Sequence, residues 1–292
     1  MNKVAKATLT WGGLIALALM IYLSGWFNHS RSRVTLGEIV YEGHSDFSHI
    51  RVRERNGVRS LIFVTPEGRE TRQSSIDLEH PEQLQLGYTK TLFSTMLLDD
   101  SHERVLIVGL GGGGMVRFLN KVFPDVQVDV VEIDPEVVKV AAEFFGTDSG
   151  PKTNIYTQDA FEYLAEEHPP YDVIYMDAFL QPPADSGLEE KTKRLKQIEF
   201  LKGLHARLKP DGLVAFNLIV WATSTPGDIE SIQEAFPNVY QFGVPGTGNL
   251  VVIGSLKEEG IPKEELLHRA QVLDEKYQLT FSFADFVSSL KK

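Results

Sequence analysis

Residues 9–27 form nineteen consecutive positions without a charge. As a helix rising ~1.5 Å per residue they reach about the ~30 Å of a hydrocarbon core, which predicts one membrane span. Trp11, Tyr22 and Trp26 fall near its ends, and Lys3, Lys6, Arg31 and Arg33 bracket it, as interfacial anchors do. A cleaved signal peptide competes with this reading, but no small-x-small site follows the apolar run. Two Lys on one side and two Arg on the other leave the orientation nearly tied.

Beyond this anchor (1–33) the pattern becomes short and strand-like over 34–98: EIVYEG, HIRVRERNG and VRSLIFVTPEG, with Asn56-Gly57 and Glu67-Gly68 as turn signals. That predicts a small antiparallel β domain, closed by a helix from Pro81 through Leu84, Leu86, Tyr88, Leu92, Phe93 and Met96. After Asp99 the period changes. Apolar runs at 105–109, 126–132, 154–157, 171–177 and 213–218 read as buried parallel strands. Stretches 115–123, 135–145, 160–167 and 189–208 between them read as helices, the second opened by Asp134-Pro135 as cap and first-turn residue. This is a doubly wound α/β domain over 99–256. Its end differs from the dinucleotide-binding version of the fold. VYQFG (239–243), a PGTG turn and NLVVIGS (249–255) make an antiparallel pair where that version continues with parallel strands. The tail, 257–292, is charged and helical and is expected to cap the domain.

Composition narrows the chemistry. With 29 Lys and Arg against 40 Asp and Glu the net charge is −11, and 42% of the 292 residues are hydrophobic, an ordinary globular balance. Residues 1–72 carry +4, which leaves −15 for the remainder, a poor nucleic-acid binder. There is no cysteine and no HExxH pair, so disulfides, thiolate catalysis and Cys-ligated metals are excluded, and no metal site is expected.

The loop Gly109-Leu110-Gly111-Gly112-Gly113-Gly114 follows a strand and opens a helix, where backbone approaches a ligand without intervening side chains. Gly109, Gly111 and Gly114 also satisfy GxGxxG, so the loop marks a ligand site without choosing the ligand. Glu132 ends the second strand, where an acid can accept both hydroxyls of a ribose. Asp159, followed by Ala160 after the third strand, can take an adenine amine or cap the next helix. Asp177 closes the fourth strand in MDAF, at the sheet edge where such folds place their ligands. The Pro-rich segment 181–187 after it could act as a lid.

The reversed terminal strand resembles the S-adenosylmethionine-dependent transferase fold, a Rossmann-like sheet. Together with VLIVGLGGGG, VVEIDPEVV, QDAFEYL and YDVIYMDAF, over roughly residues 35–255, the chain resembles the spermidine synthase (polyamine aminopropyltransferase) family, and among its members the membrane-associated spermidine synthase-like proteins. The resemblance implies decarboxylated S-adenosylmethionine as co-substrate, a small putrescine-like amine as acceptor, and a homodimer. Glu132, Asp159 and Ala160 fall on the family's nucleoside-binding positions. Asp177 falls on the acid that deprotonates or orients the attacking amine, and Tyr88 on a substrate-pocket tyrosine, although a core role fits Tyr88 equally. There are departures. The family's GGGDGG has an aspartate for the donor's ammonium where this chain has Gly112; Tyr-Gln-His becomes Phe47-Ser48-His49; and Asp-Ser-Ser-Asp-Pro becomes 177–181, Asp-Ala-Phe-Leu-Gln.

Losing that aspartate should cost the decarboxylated donor a charge-assisted bond of ~1.5–3 kcal/mol, and Gly112 removes a charge that would repel the carboxylate of the intact donor. Three readings follow: aminopropyl transfer, methyl transfer from intact S-adenosylmethionine, and a non-catalytic, membrane-tethered nucleoside-binding module. An active enzyme implies a single-pass protein of the inner membrane with its catalytic domain on the cytoplasmic side, where such donors are made.

Overall fold

The computed structural model describes residues 37–178, 198–220, 222 and 225–291. The expected span at 9–27 and the segment 181–187 lie outside them, as does the first part, 189–197, of the helix expected at 189–208. No helix among the described residues is long and apolar enough to cross a membrane.

Two sheets build the molecule. The first is a four-stranded antiparallel meander of β1 (Glu38–His44), β2 (His49–Arg55), β3 (Val58–Val64) and β4 (Glu70–Asp77). Its turns fall where Asn56 (φ 52°), Gly57 and Gly68 accept left-handed backbone. Strand β4 is absent from the sequence reading because ETRQSSID buries only Ser75 and Ile76 and shows no apolar alternation. Its register also slips: Ser74 pairs with Leu61 and Arg72 with Ile62, so Gln73 is an extra, bulged residue.

The helix expected from Pro81 is shorter than its apolar positions suggest. It forms α1 (Gly87–Leu92) and continues as a 3₁₀ turn (Phe93–Leu97). Leu84 and Leu86 stand two apart, a spacing that suits the extended chain found at Leu86 rather than one helix face.

The second sheet has seven strands in the order β10-β11-β9-β8-β5-β6-β7. The strands β5 (Arg104–Val108), β6 (Gln127–Glu132), β7 (Thr153–Thr157), β8 (Tyr171–Met176) and β9 (Leu208–Ile219) run parallel. Strand β11 (Asn249–Ser255) inserts antiparallel between β9 and β10 (Asn238–Gly243), the reversed ending expected of the fold. The connecting helices are α2 (Gly114–Val122), α3 (Pro135–Phe145), α4 (Ala160–Ala165), α5 (Ile198–Gly203) and α6 (Thr225–Ala235). Asp134 caps α3 by accepting the Glu136 N–H, and Asp159 caps α4 by accepting that of Phe161.

Alternation along β5 divides the core. Val105 and Ile107 face the cluster that holds the small sheet, α2 and α3; Leu106 and Val108 face the one that holds α4, α5 and α6. The tail, expected only to cap, belongs to the first core. Leu266 and Leu273 on α7 (Lys263–Tyr277) and Phe283 and Val287 on α8 (Phe283–Ser288) are buried there. Each such side chain contributes roughly 1.5–3 kcal/mol on burial.

Candidate active site

The carboxyl ends of β5, β6, β7 and β8 meet at one cavity, at the point where the strand order reverses on either side of β5. The small sheet roofs it with Phe47, Ser48, Phe63 and the bulged stretch Gln73–Ser74. The β1–β2 turn is tied to the floor, because Ser45 and Ser48 both donate hydroxyls to Asp134 Oδ2, at 2.7 and 2.6 Å. Ser48 therefore stands at the cavity wall with its hydroxyl already engaged, and His49 points outward to Glu42.

The glycine loop shows why it is glycine. Gly109 sits at φ +98°, and a Cβ there would come 2.5 Å from the Asp177 carbonyl oxygen. Gly113 (φ +69°) caps α2, and a Cβ would run into Thr147. Left-handed backbone and close approach leave no room for an L side chain at either position. Gly109, Gly111, Gly113 and Gly114 line the cavity. Gly112 is not among the lining residues, and a Cβ there would meet the side chains of Phe145 and Ser74. Its carbonyl accepts a bond from Arg117, a buried guanidinium that also donates to Pro81 O, Phe145 O and Thr147 Oγ1. Burial without a carboxylate partner lowers Arg117 to about 10, which leaves it a cation at neutral pH.

Glu132 is buried, and both of its oxygens accept backbone N–H groups: Oε2 from Leu110 at 2.9 Å, Oε1 from Asp134 at 3.0 Å. Desolvation pushes its pKa up against those two bonds. The carboxylate thus fastens the glycine loop to the turn after β6 and presents its remaining lone pairs to the cavity. Asp159 and Ala160 line the far end, with Phe161 beside them.

Asp177 lies opposite. Asn217, on β9, donates its amide N–H to Asp177 Oδ1 at 3.0 Å, and the Tyr88 hydroxyl, 3.4 Å from the Gln73 carbonyl oxygen it donates to, stands beside the same carboxyl group. Burial raises Asp177 from 3.8 to about 7, with those two groups pulling the other way. Tyr88 is raised well above its usual value, by burial first and then by the neighbouring carboxylate, so it stays a neutral donor. The sequence reading left Tyr88 between core and site; it lines the cavity and touches Asp177.

All the expected site residues except Gly112 therefore meet in one place. Those that the sequence reading missed are Gln73, Asn217 and Asn249, the last donating to Asn217 Oδ1 at 2.8 Å. Asn217 left a trace, as the single polar residue within the apolar run LVAFNL.

The described walls carry four carboxylates, those of Glu132, Asp134, Asp159 and Asp177, and no Lys, Arg or His. Such a cavity favours cations.

A family model described as the spermine/spermidine synthase domain matches residues 85–236. The chain belongs to this family. Its members among the similar proteins include the polyamine aminopropyltransferase of Vibrio vulnificus, 28% identical over 237 residues, which are 79% of this chain and 76% of that one. The eEF1A lysine and N-terminal methyltransferase of Mus musculus is 30% identical over 230 residues, 77% of this chain but only 33% of that longer protein. A spermidine synthase solved in complex with the transition-state analogue AdoDATO superposes with a TM-score of 0.65 at 19% identity, covering 86% of this chain and 84% of that one, which establishes the shared fold. Both kinds of relative are transferases, and this chain is a transferase.

Proposed function

We propose that the protein transfers an aminopropyl group from decarboxylated S-adenosylmethionine to a small amine. The observation that carries this reading is the charge of the cavity: four carboxylates and no basic side chain among its described lining residues. A sulfonium nucleoside with an ammonium tail suits such walls, whereas the carboxylate of the intact donor would meet no cationic side chain there. In this reading Gly109, Gly111, Gly113 and Gly114 admit the nucleoside against bare backbone, Glu132 accepts its ribose hydroxyls, and Asp159 with Ala160 receives its base.

The leaving thioether is neutral, so the reaction needs alignment, dehydration and a free amine lone pair rather than a strong acid. Asp177 suits that task. As a carboxylate it binds the acceptor's N–H groups and accepts a proton from the ammonium that forms on attack, with Tyr88 and Asn217 fixing its direction. A pKa near neutrality matches a general base working at neutral pH.

Incubation of the protein with each donor and a panel of amines tests this. Methylthioadenosine is the by-product expected from the decarboxylated donor; adenosylhomocysteine, formed from the intact donor, would replace this reading with methyl transfer. Methyl transfer is the second reading because the chain has no carboxylate at position 112 for the donor's ammonium and shares 30% identity with a methyltransferase. Calorimetry separates the two readings directly, and tighter binding of the carboxylated donor would favour the second.

The proposal extends to the cell. Donors of this kind are made in the cytosol, so residues 9–27 are placed as a single span of the inner membrane, with residues 38–292 on the cytoplasmic side. Protease added to intact spheroplasts should then leave the domain uncut until the membrane is opened. Cleavage before lysis would put the domain on the side without donor.

A further inference from the structure

The polar chain behind Asp177 continues through two amides into the reversed hairpin. Asn249 Nδ2 donates to Asn217 Oδ1 at 2.8 Å, and Asn217 Nδ2 donates to Asp177 Oδ1 at 3.0 Å. Asn249 opens β11, and its backbone N–H is held by Thr247 Oγ1 at 3.1 Å. That hydroxyl in turn donates to Val244 O, so the turn itself is braced.

A primary amide offers a donor at one end and an acceptor at the other, with almost the same shape both ways. Asn217 is buried, at 5% exposure, and facing Asp177 it could present either end. With its oxygen forward it would set lone pairs against a carboxylate and favour the protonated acid. The only described side chain that bonds to the rear of Asn217 is Asn249, whose Nδ2 is directed at it and meets its acceptor end.

We propose that Asn249 is a positioning residue for Asp177: it locks the Asn217 amide with its N–H directed at the carboxylate, and thereby holds Asp177 ready as a base. The assignment of Asp177 as base rests on the function proposed above; the orientation of Asn217 does not.

Other described groups facing Asp177 do not supply this lock. Tyr88, from α1, offers a neutral hydroxyl, and the backbone of Gly109 lies against the Asp177 carbonyl. Glu132, Asp134 and Asp159 share the cavity as carboxylates and offer Asp177 no donor.

Replacing Asn249 with leucine removes the rear donor without adding charge. The readout is the titration of Asp177 itself, followed through its side-chain carboxyl 13C resonance in protein labelled at aspartate, with Asp177→Asn assigning the peak. No turnover is needed, so a failure of the transferase reading leaves the test intact. Asn217→Leu, which deletes the direct donor, sets the scale with an upward move of about one unit. Asn249→Leu is expected to raise the midpoint by about half of that, and to have no effect when Asn217 is already leucine. A midpoint unmoved by Asn249→Leu, or moved equally in the Asn217→Leu background, overturns the proposal. Should the leucine variant not fold, Asn249→Ala removes the same donor and is read by the same criterion.

Discussion

Asp177→Asn is expected to lower turnover by about 10²–10⁴-fold while leaving donor affinity within a few-fold of wild type, the range over which a positioned base contributes. The asparagine keeps the size of the side chain, but it cannot take a proton. In the wild-type protein kcat/KM should rise through a limb near pH 7, where Asp177 ionises, and the variant should lose that limb. The same substitution changes stability, and the sign follows from linkage. A carboxyl raised from 3.8 to about 7 holds its proton more tightly in the folded state than in the unfolded one. Stability therefore falls as pH rises from about 4 to about 7 and is level above that. The variant does not bear this cost. Because Asp177 is partly open to the cavity, the full shift overstates the effect; a gain of about 2 kcal/mol at pH 8, vanishing near pH 4, is the expected size. Denaturant titrations at the two pH values check it. A variant no more stable at pH 8, with turnover intact, would remove Asp177 from the mechanism.

Glu132→Gln is the second large effect, although it too preserves shape. Both oxygens of Glu132 accept backbone N–H groups, from Leu110 and Asp134. A glutamine has one acceptor oxygen, and its amide nitrogen would face an N–H, donor against donor, in a buried place. The unmet group costs about 1–3 kcal/mol, and the glycine loop loses its tie to the turn after β6. In the function proposed above the donor loses its charged ribose acceptor as well. Each hydrogen bond to a charged group contributes ~1.5–3 kcal/mol, or one to two decades of affinity, so the donor Kd should rise about 100-fold or more. Calorimetry with the decarboxylated donor measures this. A Kd within threefold of wild type would mean that Glu132 only braces the loop.

Much of this site was legible in the order of residues. Five apolar runs gave the parallel strands, since strands buried on both faces need no polar alternation. The loop 109–114, Glu132, Asp159 and Asp177 were legible because a parallel sheet brings successive carboxyl ends to one edge. What escaped depends on direction rather than on order. Position 112 stands in the glycine loop yet does not line the cavity, and a side chain there would meet Phe145 and Ser74, a placement that spacing does not encode. Strand β4 escaped because its useful residues are polar and a bulge displaces Gln73 from the alternation. Asn249 escaped for another reason: it is one of several small polar residues after a turn, and only the pairing of β11 with β9, residue 249 against 219, brings it beside Asn217.

The bonds from Ser45 and Ser48 to Asp134 join a roof and a floor that are encoded in separate stretches of chain. Residues 47–75 supply the roof, 84–89 a side that includes Tyr88, and 107–178 the floor with Asp177, so three separate stretches of chain shape one cavity. A chimera that takes 38–77 from a relative would therefore change the roof while leaving Asp177, Tyr88 and the glycine loop in place.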